Sequence, residues 1–568
     1  MEIRRWRRLV LCALVAALLY LPRLGHPPLW EPDEGRYAEI PREMIVTGDF
    51  VTPRDDFVRY FEKPPLVYWI TAASIEVFGR NEFAVRLPAA LFSIGQVVVT
   101  AALGEAILGP TAGFAAAACL ALSPLFFGFA RFATLDPALA FFVTAALAAF
   151  FMAIRAPALD DGKSRRWMLL AAAMLALGTL AKGPVALVLG GGVALIDILV
   201  ERRLRELSPA LIFACALVYA AIVLPWFVLV ALRNSGFVAF FFVHEHLQRY
   251  LVSTEHRWGP YFFVVLAVAG TWPWIWFAPL GAMELARGGG QDRGGKRALR
   301  FLLAWFGFVL IFFSIPRSKL GSYILPGIPP LAILAGCGIA RLAAIEACRR
   351  RRIFAGLALV SAVFAIGAMV VLLFARRRLG AALCADAEIL IAGLTIGAFG
   401  ALLLDRRSAR AWRAIIALAA GVTIALGAGL KARGDAAAAF SYRGLAREIA
   451  PYVDSGCLVA SYRHFVQSLP FYTGGREALV GYRGELAPFG GTPDAAASFI
   501  ANDTRLRDVW ASSQCVVLIA DRRDLPALVP TLDPQAAIIG CGGKKFALLN
   551  RPAANRQACH AGFSPAKR

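Results

Sequence analysis

About thirteen apolar runs divide this chain. The first ends near Leu24, and the others fall near residues 83–107, 111–130, 137–154, 167–180, 184–200, 208–232, 260–284, 300–315, 322–344, 353–374, 387–404 and 413–430. Runs of this length, apolar on every side, leave few folds open. In hydrocarbon each backbone N–H and C=O must find a partner within the segment, so each run predicts a membrane-spanning helix. The expected architecture is all-α and polytopic, with about thirteen spans in residues 1–430.

Composition agrees: 59% of residues are apolar, 17% are charged and the mean hydropathy is +0.62. A soluble protein is roughly 45–50% apolar and about 25% charged. A cytosolic enzyme, a disordered chain and a fibrous repeat are therefore excluded. Lys and Arg number 60 against 38 acids, a net charge of +22. Such an excess marks either a nucleic-acid binder or the cytoplasmic loops of a membrane protein. Here the basic clusters sit between apolar runs, which favours the second reading and predicts no nucleic-acid partner. They comprise Arg4 to Arg8, Arg155 to Arg166, Arg202 to Arg205, Arg287 to Arg300, Arg349 to Arg352 and Arg406 to Arg413. Arg376 to Arg378 is the exception, falling outside on this count. The first run lacks a small-residue cleavage site, so it reads as an uncleaved span starting in the cytoplasm. An odd number of spans puts the C-terminus on the outer side.

From about Lys431 the composition turns soluble, and short β-type runs appear at 457–460, 515–520 and 547–549, after a helical stretch from Tyr442 to Tyr452. Residues 431–568 are expected to form a small periplasmic α/β domain. Four of the ten cysteines, Cys457, Cys515, Cys541 and Cys559, fall there and predict one or two disulfides in an oxidising compartment, with the pairing open.

Chemistry is expected on the outer loops, chiefly residues 25–80 and 233–259. Asp33, Arg36, Tyr37 and Ile40 share a face at helical spacing, either to orient a polar substrate or as a solvated interfacial ion pair. Tyr60-Phe61-Glu62-Lys63-Pro64-Pro65 offers a phosphate-binding cation and a metal-binding acid; the same residues would also suit a headgroup anchor. Asp136 either caps a helix or faces a cavity. Lys182 is a lone cation between apolar runs. His244-Glu245-His246 could supply a metal ligand, although His-x-His alone is a weak signal. Arg317 to Tyr323 is a basic, hydroxyl-bearing turn. Walker, Rossmann, HExxH and GxSxG patterns are absent, which argues against an ATP-driven transporter and a serine hydrolase.

Taken in order, EPDEGRYAEIPREM, YFEKPPLVYW, ATLDP, LAKGP, EHLQRY and SKLGSYILP resemble the bacterial 4-amino-4-deoxy-L-arabinose transferases of lipid A, GT-C glycosyltransferases related to the protein O-mannosyltransferases. The resemblance covers roughly residues 1–345. PDEGRYAEIPREM with FEKPP is specific to this group; LDP and AKGP are generic to the superfamily. It implies inverting transfer of aminoarabinose from undecaprenyl phosphate to a lipid A phosphate on the periplasmic face of the inner membrane, conferring polymyxin resistance. It further implies that Asp33 and Asp136 are the essential acids, and that Arg36 and Lys63 hold the donor phosphate. Glu62 and His246 would bind a divalent metal such as zinc, with His244 a rival. Tyr60, Lys182 and Tyr323 would line the cavity. Leu320-Gly321-Ser322-Tyr323 stands where many relatives have Leu-Pro-Thr-Tyr, leaving the place of Tyr323 looser. The alternatives are a relative using a hexose or hexosamine donor, or another envelope acceptor, and a transporter or lipid flippase.

Overall fold

The computed structural model describes all residues except 1, 157–158, 160, 249–256, 288–292, 380, 408–409 and 552–568. It forms two compact units. The first comprises Met1–Leu24, Glu62–Val67 and Arg86–Arg433; the second comprises Gly25–Phe61, Tyr68–Val85 and the chain from Gly434 onward.

The first unit is helical. Among the described residues, eight helices are long and apolar enough to cross a bilayer, or ten if two bent pairs each count as one span. Every expected apolar run is mainly helical, two of them broken into bent pairs, but the count of about thirteen spans is not reached by length and composition. Glu2–Tyr20 and Gly162–Lys182 carry clustered basic residues at their starts, and Val185–Val200 has only 16 residues. The bent pairs are Pro110–Ala121 with Pro124–Ala130, at 67°, and Phe262–Thr271 with Trp274–Arg287, at 93°. Pro124 and Pro273 stand at the breaks, where a missing N–H interrupts the helical ladder. Two helices, Ala278–Arg287 and Ile328–Arg341, cross backbone to backbone. A Cβ on Gly281 would fall 1.9 Å from the Leu334 carbonyl oxygen, and one on Gly338 2.1 Å from that of Phe277.

One end of this bundle collects basic loops. Arg8 pairs with Glu105, and Arg203 donates to the carbonyl of Ile154 at 2.6 Å. Arg297 lies 3.8 Å from Glu201, Arg341 is 3.0 Å from Glu284, and buried Arg350 pairs with Asp405. Helix polarity then fixes the other end. Asp136 opens Asp136–Ile154, a helix about 28 Å long whose last turn reaches the basic loops. Lys182 closes Gly162–Lys182, and Tyr323 lies in the 3-10 turn Gly321–Gly327 ahead of Ile328–Arg341.

The second unit is α/β. A short hairpin pairs β1 (Arg54–Asp55) with β2 (Val58–Arg59). A six-stranded sheet contains β3 (Leu458–Tyr462), β4 (Glu477–Val480), β5 (Phe499–Ile500), β6 (Val516–Asp521), β7 (Ala537–Gly542) and β8 (Lys545–Leu549), in the order β5-β4-β3-β6-β8-β7. β3 to β6 are parallel, and β8 runs antiparallel to both β6 and β7. β6 is apolar along its length because both faces are covered. Val516, Leu518 and Ala520 pack with Leu506, Trp510 and Leu525 on one face; Val517 and Ile519 pack with Leu445, Ile449 and Leu469 on the other. Cys457 and Cys515 form a disulfide at the starts of paired strands β3 and β6, with Cα atoms 4.6 Å apart. Cys541 is free, and Cys559 lies outside the described residues.

Compositional change marks the domain start less sharply than helix geometry does. Ala411–Phe440 continues past Lys431, and the second unit begins at Gly434. That unit also includes the first outer segment. Its helix Asp33–Thr47 packs on Leu469–Thr473, where a Cβ on Gly35 would meet the Ser468 nitrogen at 2.5 Å. Arg42 in the same helix pairs with Glu39 and donates to the carbonyl of Gly474 at 3.2 Å.

Candidate active site

In the first unit Asp136 meets Lys182, and Glu62 and Lys63 meet a third carboxylate. Asp136 is the first residue of its helix, and its N-cap, Leu135, makes no side-chain cap. Its carboxylate pairs instead with the Lys182 ammonium, which also lies over the Tyr323 ring, 4.9 Å from its centroid. Asp136 and Lys182 are both largely buried. Acid, cation and aromatic face are thus assembled from three helix ends. Gly183 follows at φ 90°, a conformation L side chains rarely adopt, and it turns the chain back into the next helix.

Lys63 sits between two carboxylates. Glu62 lies 3.9 Å away, and Glu245, 5% exposed, makes the shorter contact. Glu245 was not among the expected site residues. It falls in the π-helical stretch Ala239–Gln248, in the middle of the His-Glu-His triplet, and it is the acid of that triplet that pairs with Lys63. His244 is exposed and stacks on Phe240 at 5.1 Å. The side chain of His246 lies outside the described residues, as do Arg249 and Tyr250. Among the described residues, no group of three or more His, Cys, Asp or Glu is arranged to hold a metal ion.

The second unit holds the other expected residues. Asp33 and Arg36 lie one helical turn apart with a 3.8 Å ion pair, so the shared face is real. Arg36 also reaches Glu485 at 2.6 Å and approaches the Tyr60 ring, 5.8 Å from its centroid. Gln467 donates to the same carboxylate. Tyr37 packs against Tyr68, with ring centroids 6.2 Å apart and the planes tilted by 32°. Glu31 accepts a hydrogen bond from the Ser468 amide at 2.8 Å, and desolvation pushes its carboxyl up to about 7. Asp55, Asp56, Glu43 and Glu477 are all buried, and desolvation raises each of them above the usual carboxylate range. Such an arrangement can bind cations and hydroxyls, while the lysines of the first unit can bind phosphate oxygens.

Comparison with known proteins places these features. A family profile described as dolichyl-phosphate-mannose-protein mannosyltransferase matches residues 6–241. The undecaprenyl phosphate-alpha-4-amino-4-deoxy-L-arabinose arabinosyl transferase 2 of Pseudomonas fluorescens is 37% identical over 380 residues, 66% of this chain and 62% of that one. The corresponding transferase of Yersinia enterocolitica is 34% identical over 329 residues, 57% of this chain and 58% of its own. The matched stretches thus span about three-fifths of these curated relatives. The crystal structure of ArnT from Cupriavidus metallidurans bound to undecaprenyl phosphate is 29% identical, covers 98% of this chain and 99% of that one, and superposes with a TM-score of 0.82. The chain is thus similar in sequence to the undecaprenyl phosphate-aminoarabinose arabinosyl transferases and, over nearly its whole length, in fold to ArnT, a multi-pass membrane architecture.

Proposed function

We propose that this chain transfers 4-amino-4-deoxy-L-arabinose from undecaprenyl phosphate to a phosphate of lipid A, at the periplasmic face of the inner membrane. The observation that carries the reading is the presence of two half-buried lysines, Lys63 and Lys182, each held against a carboxylate. Support comes from the undecaprenyl phosphate bound in the similar ArnT structure and from the aminoarabinose named in the curated relatives. Topology follows from charge. The end gathering the basic loops is cytoplasmic, so Asp136, Lys182 and Tyr323 face the periplasm. The Cys457–Cys515 disulfide suits an oxidising compartment for the second unit.

In the proposed reaction, a lipid A phosphate oxygen attacks the anomeric carbon as the bond to the donor phosphate breaks, inverting that centre. The nucleophile is already ionised at pH 7, so no strong general base is required. The barrier lies in the charge accumulating on the departing undecaprenyl phosphate. Lys63 and Lys182 stabilise that charge in a water-poor setting, where each preorganised donor is worth about 3 kcal/mol. Asp136 keeps Lys182 oriented. Asp33 and Arg36 form an acid–base pair suited to the sugar's ammonium and the donor phosphate. Glu62 and His246 together supply a carboxylate and an imidazole, a donor set that suits zinc; when bound, zinc would add positive charge near the phosphate.

The test is complementation of a strain lacking its own transferase, followed by mass spectrometry of lipid A. Wild type should add aminoarabinose and restore polymyxin resistance. Lys63→Ala and Lys182→Ala should each lose the product while the protein remains in the membrane. Full activity in both variants would refute the proposed site. The family profile also admits a hexose donor, and a hexose or hexosamine mass increment would establish that alternative.

A further inference from the structure

At the basic end of the helical bundle, far along the chain from the lysines, lies a cavity of about 320 Å3. Its origin is geometric. Gly281 and Gly338 bring two helices into backbone contact, and beyond that crossing the helix ends part at Arg287 and Arg341. The third wall is the start of Ala347–Leu379. Three arginines line the space, Arg287, Arg341 and Arg349, together with Glu284 and Glu346. Glu284 engages Arg341 at 3.0 Å. Arg287 and Arg349 make no ion pair among the described residues, so the cavity keeps a positive excess. The N-terminus of the 33-residue helix adds partial positive charge at the same place. Exposed Arg351 and Arg352 extend the field outward. Leu280 and Met283, on the helix that carries Arg287, add an apolar surface to the lining.

We propose that this cavity binds the phosphodiester headgroup of an anionic phospholipid from the surrounding membrane. Arg287 and Arg349 take the phosphate oxygens through their planar forks, and the apolar wall carries the glycerol and the first methylenes. Basic pockets between helices on the cytoplasmic side suit this ligand class, because the headgroup lies at that depth and is already concentrated there. A zwitterionic lipid offers the same phosphate with its charge cancelled, so the site discriminates by net charge.

Native mass spectrometry of the full detergent-purified chain tests this, with phosphatidylglycerol or phosphatidylcholine of matched acyl chains as probes. Wild type should retain one phosphatidylglycerol per chain in clear preference to phosphatidylcholine. In the Arg287→Gln/Arg349→Gln variant, retention should fall roughly tenfold or more. Arg351→Gln/Arg352→Gln, which removes as much charge from the same helix outside the cavity lining, should retain far more lipid than the Arg287→Gln/Arg349→Gln variant. Arg287→Lys/Arg349→Lys keeps the charge and should keep most of the retention, which separates a lost site from a lost fold. Equal retention by wild type and the glutamine variant overturns the proposal. So does tight binding of inorganic phosphate that excludes the lipid, since the ligand would then be the free anion.

Discussion

Asp55 is fully buried, and neither carboxylate oxygen has a hydrogen-bond partner among the described residues. Desolvation, with Glu485 adding to it, raises its pKa above that of an exposed aspartate. In the folded state it holds a proton that the unfolded chain has already released. Its contribution is therefore fully present below the ordinary carboxylate pKa, near 4, and is lost as pH rises through the higher folded value. Asp55→Asn removes that titration. The variant should unfold at higher temperature than wild type at pH 8, by about 1–3 kcal/mol, with the gap closing at pH 5. Thermal unfolding of the purified chain across pH checks this; a gap independent of pH would show that ionisation of Asp55 is not involved. Glu245 carries a second prediction at this scale. Because it holds Lys63, Glu245→Gln should lower turnover about tenfold with little change in donor KM, and Glu245→Asp should recover part of it. A steady-state assay with separated kcat and KM measures the split.

At the scale of elements, the glycine crossing between Ala278–Arg287 and Ile328–Arg341 admits no side chain. Gly281→Ala puts a methyl 1.9 Å from a backbone oxygen, and the helices must part to relieve it. A loss of about 1–3 kcal/mol is expected in detergent unfolding. Gly307→Ala, with nothing within 4 Å of the new methyl, should be neutral or slightly stabilising. The contrast between these two glycines shows what sequence can report. Both stand inside apolar runs and look alike there, since their difference lies in a neighbouring helix. The runs themselves were legible because spanning helices obey a local rule. Pro124 and Pro273 were visible too, but not the 67° and 93° bends at those breaks. The Asp33–Arg36 pair was readable from helical spacing, whereas Glu485, 449 residues from Arg36, was not, because periodicity carries no information across that separation. Strands at 457–460, 515–520 and 547–549 stood out as β-branched or apolar runs. β5, at two residues, is too short to give such a signal, and β4 begins on buried Glu477, a polar residue whose burial only the fold explains.

For the whole molecule, charge asymmetry and the disulfide make a joint claim about the membrane. On the proposed topology the end that collects the basic loops, tied by Arg8–Glu105, Glu201–Arg297 and Arg350–Asp405, is cytoplasmic. The disulfide belongs to an oxidising compartment. Two native cysteines can report each side. Cys348 is exposed beside the Arg349 to Arg352 run, and Cys541 is partly exposed in the second unit. With Cys559→Ser in both, one variant keeps Cys348 through Cys541→Ser, and the other keeps Cys541 through Cys348→Ser. An impermeant maleimide applied to intact spheroplasts should label the Cys541 protein and spare the Cys348 protein. After lysis both should be labelled. Labelling of Cys348 in intact spheroplasts would invert the bundle, place Asp136 and Lys182 in the cytoplasm, and remove them from the leaflet where a periplasmic donor and lipid A could meet.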